Sequence, residues 1–317
     1  MKKMAVRLGW SLFILALVTD VVEILVGLFI QRFYPVLAQS EWFSAALIAI
    51  GFYLCGLPVF ALLTRKIKGW NQEGNHVQLR FFGQVVPLYF ACMFLGYVFS
   101  LLGVLINLFV SHFTGITPSN PISDMISFSG LVPMIVVAGV LSPIVEEFIF
   151  RGIVIDKTLK YGENAAIWFS AITFGLIHMN LYQFFYAVAI GIILGYVRVK
   201  TGKIKYSIML HIMVNMTGSV LIPVLSAIKN IGEYLVGTFI ALVMILGFIY
   251  WRRLKKTIRA EEDSARSCEE TISEEQDAYT SLCEDQATPN AKDLYLNIGT
   301  LAYIGLCIAG FVYSIVA

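Results

Sequence analysis

Apolar residues fall along this chain in long blocks rather than in the alternation of a half-buried strand. Nine blocks stand out, at about 8–30, 42–63, 84–110, 129–150, 164–179, 182–198, 206–225, 232–251 and 295–316. Most reach about 18 residues or more, enough to cross roughly 30 Å of hydrocarbon. Within lipid the backbone must satisfy its own hydrogen bonds, so the blocks are predicted to be helices. The expected fold is all-α, a polytopic transmembrane helix bundle of about eight to nine spans, the short fifth and sixth blocks being the least regular.

The polar residues between the blocks test that reading. Lys and Arg collect on the cytoplasmic side of membrane helices. Here they cluster at Lys2, Lys3 and Arg7, at Arg65, Lys66, Lys68 and Arg80, at Arg151, Lys157 and Lys160, at Arg198, Lys200, Lys203 and Lys205, and from Arg252 to Arg259. The connections on the other side are poor in charge, and 111–128 holds no Lys or Arg. The alternation predicts a multi-pass integral membrane protein with a cytoplasmic N-terminus and an outside C-terminus. The first block is too long for a cleaved signal sequence and reads as an uncleaved span. Asp20 and Glu23, one turn apart inside it, are expected to face other helices or the interface rather than lipid.

Residues 252–293 break the pattern. They open basic and turn acidic from Glu261 to Asp277, with few apolar positions. A cytoplasmic linker, disordered or loosely helical, is expected there. The organisation read from the chain is thus a bundle over 1–251, this linker, and a last transmembrane helix over 294–317.

Composition agrees: 58% of the 317 residues are hydrophobic and 14% charged, against about 25% charged in soluble domains. The net charge of +2 selects no class of partner, and nothing points to nucleic acid. The five cysteines lack metal-binding spacing, and Cys55, Cys92 and Cys307 lie inside apolar blocks, where they are expected to pack as small hydrophobes.

Ionisable groups inside a membrane are costly and mark function. Three clusters qualify. In Glu146-Glu147-Phe148-Ile149-Phe150-Arg151 the two glutamates point about 100° apart on a helix. Glu147 and Arg151, four apart, share a face and are expected to pair, leaving Glu146 free. In Phe174-Gly175-Leu176-Ile177-His178 the aromatic ring and the imidazole share a face, and Gly175 lets another helix approach. In His211-Ile212-Met213-Val214-Asn215 the imidazole and the amide stack one turn apart. A carboxylate, two imidazoles and an amide are the parts for hydrolysing a peptide bond: a base for water and donors for the oxyanion. The same groups suit Zn²⁺ held by His178, His211 and Glu146.

The ordered pattern Glu-Glu-x-x-x-Arg, Phe-x-x-x-His and His-x-x-x-Asn resembles the CPBP (ABI) family of intramembrane endopeptidases, which includes the type II CAAX prenyl endopeptidases and bacteriocin-processing and self-immunity proteins. All three motifs are complete, within about 125–225. The resemblance implies that Glu146 activates water, that His178 orients water or the scissile carbonyl, that His211 and Asn215 bind the oxyanion, and that Glu147, Arg151 and Phe174 support them. It implies either no cofactor or Zn²⁺. Asn is a poor zinc ligand and a good oxyanion donor, which favours none. The expected partners are the lipid bilayer and a membrane-associated protein or peptide, prenylated or of leader type. A proton-coupled transporter and a catalytically idle scaffold or immunity protein are the other functions these residues allow. The absence of an internal repeat weighs against the transporter.

Depth sets a condition. If the fourth helix runs to about residue 159 and the fifth starts near Glu163, Glu146 and His178 each lie roughly 21–23 Å from their shared turn. His211 comes out nearer ~12 Å from its own turn. The site can assemble only if the fourth helix continues well past Arg151, bent near Pro143, and if the seventh is tilted or starts earlier.

Overall fold

The computed structural model describes residues 2–69, 78–118, 120, 130–276 and 290–316. These are helical, with no strand among the described residues. Among the described residues eight helices are long and apolar enough to cross a membrane: α1 Lys2–Phe33, α2 Phe43–Thr64, α3 Gly83–Thr114, α4 Leu131–Tyr161, α6 Leu181–Thr201, α7 Ile204–Ser226, the Gly232–Arg259 part of α8, and α9 Ile298–Val316. Between α4 and α6 stands α5, Glu163–Leu176. Its 14 residues span about 21 Å, short of the hydrocarbon thickness. The fifth apolar block is therefore a shorter leg, antiparallel to α6; Lys200 near the end of α6 pairs with Glu163 at the start of α5, 3.4 Å away.

Burial shows which helices lie at the centre. In α6 56% of the apolar window is buried and in α4 39%, against 22% or less in the other spans. α5 packs on α6, α6 on α3 and α7, and α7 on α4. α8 covers α3 on one flank, and α1, α2 and α9 form the other. Asp20 and Glu23 on α1 are half-buried, and Glu23 lies against Gly51 of α2, so this acid faces a neighbouring helix. Cys92 and Cys307 are buried and Cys55 half-buried, all three as free thiols.

Five stretches widen from α- to π-helical turns. Four of them, Ala49–Gly56, Phe81–Val85, Met134–Leu141 and Thr217–Leu221, each end two residues before a proline: Pro58, Pro87, Pro143 and Pro223. Proline cannot donate to the carbonyl one turn back, and its ring collides with it. Widening the preceding turn moves that carbonyl aside and keeps the helix continuous, as lipid requires. The disturbance expected at Pro143 takes this form. The fifth stretch, Phe148–Val154, has no such proline and starts at the residue after Glu147. α4 then continues to Tyr161, past Arg151 as the depth condition requires, and turns at Gly162 with φ 100°.

Part of the linker takes the helical one of its two expected forms. α8 is one helix from Gly232 to Gln276, so residues 252–276 are helical. No Gly or Pro lies between Phe248 and Thr288, and the run is rich in Arg, Lys, Ala and Glu, which favour helix. Residues 277–289 of the linker lie outside the described residues.

At Gly175 α5 and α6 meet closely: a Cβ there would run into Val188 and lie 3.0 Å from the Phe184 carbonyl oxygen. Gly175→Leu is therefore expected to destabilise the protein by about 1–3 kcal/mol through overpacking, read as a lower unfolding temperature in detergent; an unchanged temperature would contradict this contact.

Candidate active site

The site is built outward from one buried charge. Glu147 and Arg151, successive turns of α4, are both 0% exposed, and Glu147 Oε1 lies 2.9 Å from Arg151 Nη1. The i, i+4 spacing pairs them as the sequence predicts. Neither ion touches water, so each needs further partners. Arg151 Nη2 donates to the Gly191 carbonyl of α6 at 3.2 Å. Its guanidinium also lies 4.4 Å from the centre of the Phe174 ring, a cation–π contact strengthened by the absence of water.

The second partner of Glu147 comes from α7. His211 Nδ1 lies 3.0 Å from Glu147 Oε1. A carboxylate accepts, so Nδ1 carries a proton and donates it to Glu147. That fixes the ring. Its other nitrogen, Nε2, faces Glu146, 3.6 Å from Oε2. With Nδ1–H committed, a lone pair on Nε2 and an ionised Glu146 would face each other as two acceptors. A single proton shared between them removes the clash, held either by the imidazole or by the carboxyl group. The two glutamates differ in access: the Glu146 side chain is 15% exposed and that of Glu147 0%. Glu147 is the fixed charge and Glu146 the reachable one.

His211 meets these acids because α7 starts deep in the bundle, not because it starts earlier in the chain. Ile204, its first residue, packs on Gly152 of α4 rather than level with the turn at Gly162. Counted from that level, seven residues of α7 and five of α4 bring His211 and Glu147 together.

His178 lies in the turn that follows α5 and is tied to backbone. Its Nδ1 lies 2.9 Å from the Phe174 carbonyl oxygen; a carbonyl only accepts, so Nδ1 donates and Nε2 keeps a free lone pair. The Phe174 ring stands edge-on to both imidazoles, with centroids 5.1 Å from His178 and 5.5 Å from His211. Phe174, 2% exposed, thus separates the rings while covering Arg151. Asn180 caps α6 by accepting from the Gln183 N–H at 2.9 Å, and its amide donates to the His178 carbonyl at 2.8 Å.

Asn215 is anchored by the widened turn of α4. In a π register the Ala138 carbonyl looks to the N–H of residue 143, and residue 143 is proline. The Asn215 amide donates to this orphaned oxygen at 3.0 Å. Ala138, Ser142 and Glu146 follow at four-residue steps, placing these polar groups along one side of α4. Tyr53 of α2 exchanges a hydrogen bond with Ser142 through their hydroxyls. Of the sequence-derived residues, Glu146, Glu147, Arg151, His211 and Phe174 are linked through ion pairs and ring contacts, His178 joins them through the Phe174 ring, and Asn215 is fixed to the Ala138 carbonyl. Sequence reasoning did not reach Tyr53, Ser142, Asn180 or the Gly191 carbonyl. Ser142, one turn before Glu146, was within reach of the spacing rule; Tyr53, Asn180 and Gly191 carry no local signal.

The zinc alternative can be tested on the donors. Among the described residues no three His, Cys, Asp or Glu side chains converge closely enough to hold a metal ion. Glu146 and His211 approach each other, but His178 does not complete the set. The arrangement does not fit a zinc centre with three protein ligands.

Removing either ion of a buried pair strands the other. Glu147→Ala and Arg151→Ala are each expected to cost about 3–5 kcal/mol, while a joint Glu147→Leu, Arg151→Met change costs less. Unfolding measurements on the three variants check this; additive losses would show that the two do not act as a pair. Asn215→Ala, which strips the Ala138 carbonyl of its donor, is expected to cost about 1–3 kcal/mol, and less in a Pro143→Ala background, where a backbone N–H is restored. Equal losses in both backgrounds would refute the π-register explanation.

Neither the curated proteins nor the solved structures searched gave a match. Residues 128–217 match the model of one protein family, described as type II CAAX prenyl endopeptidase Rce1-like. That segment contains α4 to most of α7, hence every residue of the three motifs. Over residues 128–217, then, this integral, multi-pass membrane protein is similar to the Rce1-like type II CAAX prenyl endopeptidases.

Proposed function

We propose that the protein is an intramembrane endopeptidase that hydrolyses a peptide bond of a membrane-associated substrate, with Glu146 as the base that activates water. The observation that carries this reading is His211 bridging the two carboxylates, 3.0 Å from Glu147 and 3.6 Å from Glu146. It separates a fixed charge from a reachable one, as acid–base catalysis requires.

With substrate bound, Glu146 takes a proton from a water molecule as its oxygen attacks the scissile carbonyl carbon. The carbonyl oxygen becomes an oxyanion. His211, charged through the proton on Nε2 and held by Glu147, donates Nε2–H to that oxyanion, and the second N–H of Asn215 donates as well. His178, with Nδ1 held by the Phe174 carbonyl, presents the Nε2 lone pair to a water proton. Collapse of the tetrahedral intermediate breaks the C–N bond, and the proton on Glu146 passes to the leaving amine. Arg151 keeps Glu147 ionised, so that Glu147 holds the imidazolium without competing for the water proton. The scheme needs no metal.

The family description supports a prenylated substrate, and the lysine- and arginine-rich ends of the helices support a cytoplasmic N-terminus with the C-terminus outside. Prenylated and unprenylated peptides offered to purified protein in lipid test the reading. Cleavage is expected with wild type, and Glu146→Gln is expected to lower it by about 10³-fold or more with its unfolding temperature retained. Equal cleavage by both forms would remove Glu146 from the mechanism.

A further inference from the structure

The last helix, α9, lies outside the family-matched segment and follows the charged linker. Its contacts fall on both ends of the Phe-x-x-x-His motif. Tyr303, fully buried, donates its hydroxyl to the Thr173 carbonyl at 2.7 Å. Thr173 immediately precedes Phe174, and its carbonyl also accepts the Ile177 N–H at 3.3 Å. Seven residues further along α9, on the same face, Gly310 lies against Met179, which follows His178. A Cβ at position 310 would sit 2.7 Å from both Met179 Cβ and Sδ. Phe311 adds an edge-on contact with Phe184 of α6, with centroids 5.5 Å apart.

The backbone explains why such support is needed. Met179 has φ 50°, the left-handed region that a side chain occupies at a cost of about 1–2 kcal/mol. Such a residue keeps its conformation when its surroundings over-determine it. Asn180 holds the His178 carbonyl from within the turn; Gly310 and Tyr303 hold the turn from outside. The other half of α9 is anchored elsewhere, Gly299 and Thr300 packing on Val6, Gly9 and Trp10 of α1.

We infer that α9 is a positioning element of the site: Tyr303 and Gly310 fix the turn carrying His178, so that turnover depends on the docking of the chain's last helix. This rests on the role proposed for His178 in hydrolysis. The positioning itself can be read without activity.

The test uses the full chain in lipid, with Gly310→Val, Gly310→Val/Met179→Gly and Tyr303→Phe. Three quantities are measured: kcat and KM on the peptide cleaved by wild type, the ring ¹³C resonance of His178 (assigned by its loss in His178→Gln), and the unfolding temperature. Gly310→Val is expected to lower kcat by about a hundredfold, the effect of an ångström-scale misplacement, with KM within about twofold and the His178 resonance shifted. Met179→Gly removes the Cβ together with the rest of the side chain and keeps the left-handed backbone without strain, so it is expected to restore both. Tyr303→Phe should shift the same resonance. A folded Gly310→Val protein with unchanged kcat and an unmoved His178 resonance overturns the inference; so does a loss that Met179→Gly leaves unrepaired. If Gly310→Val does not fold, Gly310→Ala is read in the same way. If wild type cleaves no peptide, the hydrolytic reading fails, and the His178 resonance alone decides: a shift reversed by Met179→Gly supports positioning, and no shift refutes it.

Discussion

A carboxylate with no access to water has to be neutralised where it stands, and the centre of this protein is arranged around one. Glu147 is bound by Arg151 on its own helix and by His211 from α7. Arg151 in turn reaches the Gly191 carbonyl of α6 and the ring of Phe174 on α5. Four helices thus converge on one anion. The desolvation cost is large, and a hydrophobic pair of similar volume would pack as well or better. What the ions supply is orientation: Glu147 dictates which nitrogen of His211 is protonated and therefore which one faces Glu146.

The proline-linked π turns serve the same end. In a soluble helix a proline frees a carbonyl that water can bind; in a membrane that oxygen must find a donor in the protein. At Pro143 the widened turn presents the Ala138 carbonyl to Asn215. A local defect of α4 thereby fixes a side chain of α7, and the amide is held beside the acids without an ion pair of its own. The remaining π stretch, beginning right after Glu147, sets the rotation between Glu147 and the residues that follow, including Arg151.

Much of this could be read from the chain. The apolar blocks gave the spans, and the i, i+4 rule gave the Glu147–Arg151 pair. A simple rise per residue required α4 to continue beyond Arg151, as it does. Other features depend on facts that no local pattern carries. Which nitrogen of His211 meets Glu147 depends on where α7 starts, and Ile204 packs deeper on α4 than the charge pattern suggested. The Ala138–Asn215 bond requires the π register, since an α-helical count would free a different carbonyl. For 252–276 the charge left a disordered and a helical course open, and the chain takes the helical one, in keeping with its lack of Gly and Pro. The role of α9 depends on two contacts, at Thr173 and Met179, made by residues more than 120 positions away.

The most direct measurement is ¹⁵N NMR of the His211 ring nitrogens in the lipid-embedded protein, assigned with His211→Gln and repeated in Glu147→Gln and Glu146→Gln. Nδ1 is predicted to remain protonated in wild type and in Glu146→Gln, with Nε2 alone responding to the Glu146 change, and to lose that commitment in Glu147→Gln. A ring with its proton on Nε2 and a bare Nδ1 in wild type would contradict the claim that the buried Glu147 charge sets the orientation of the site.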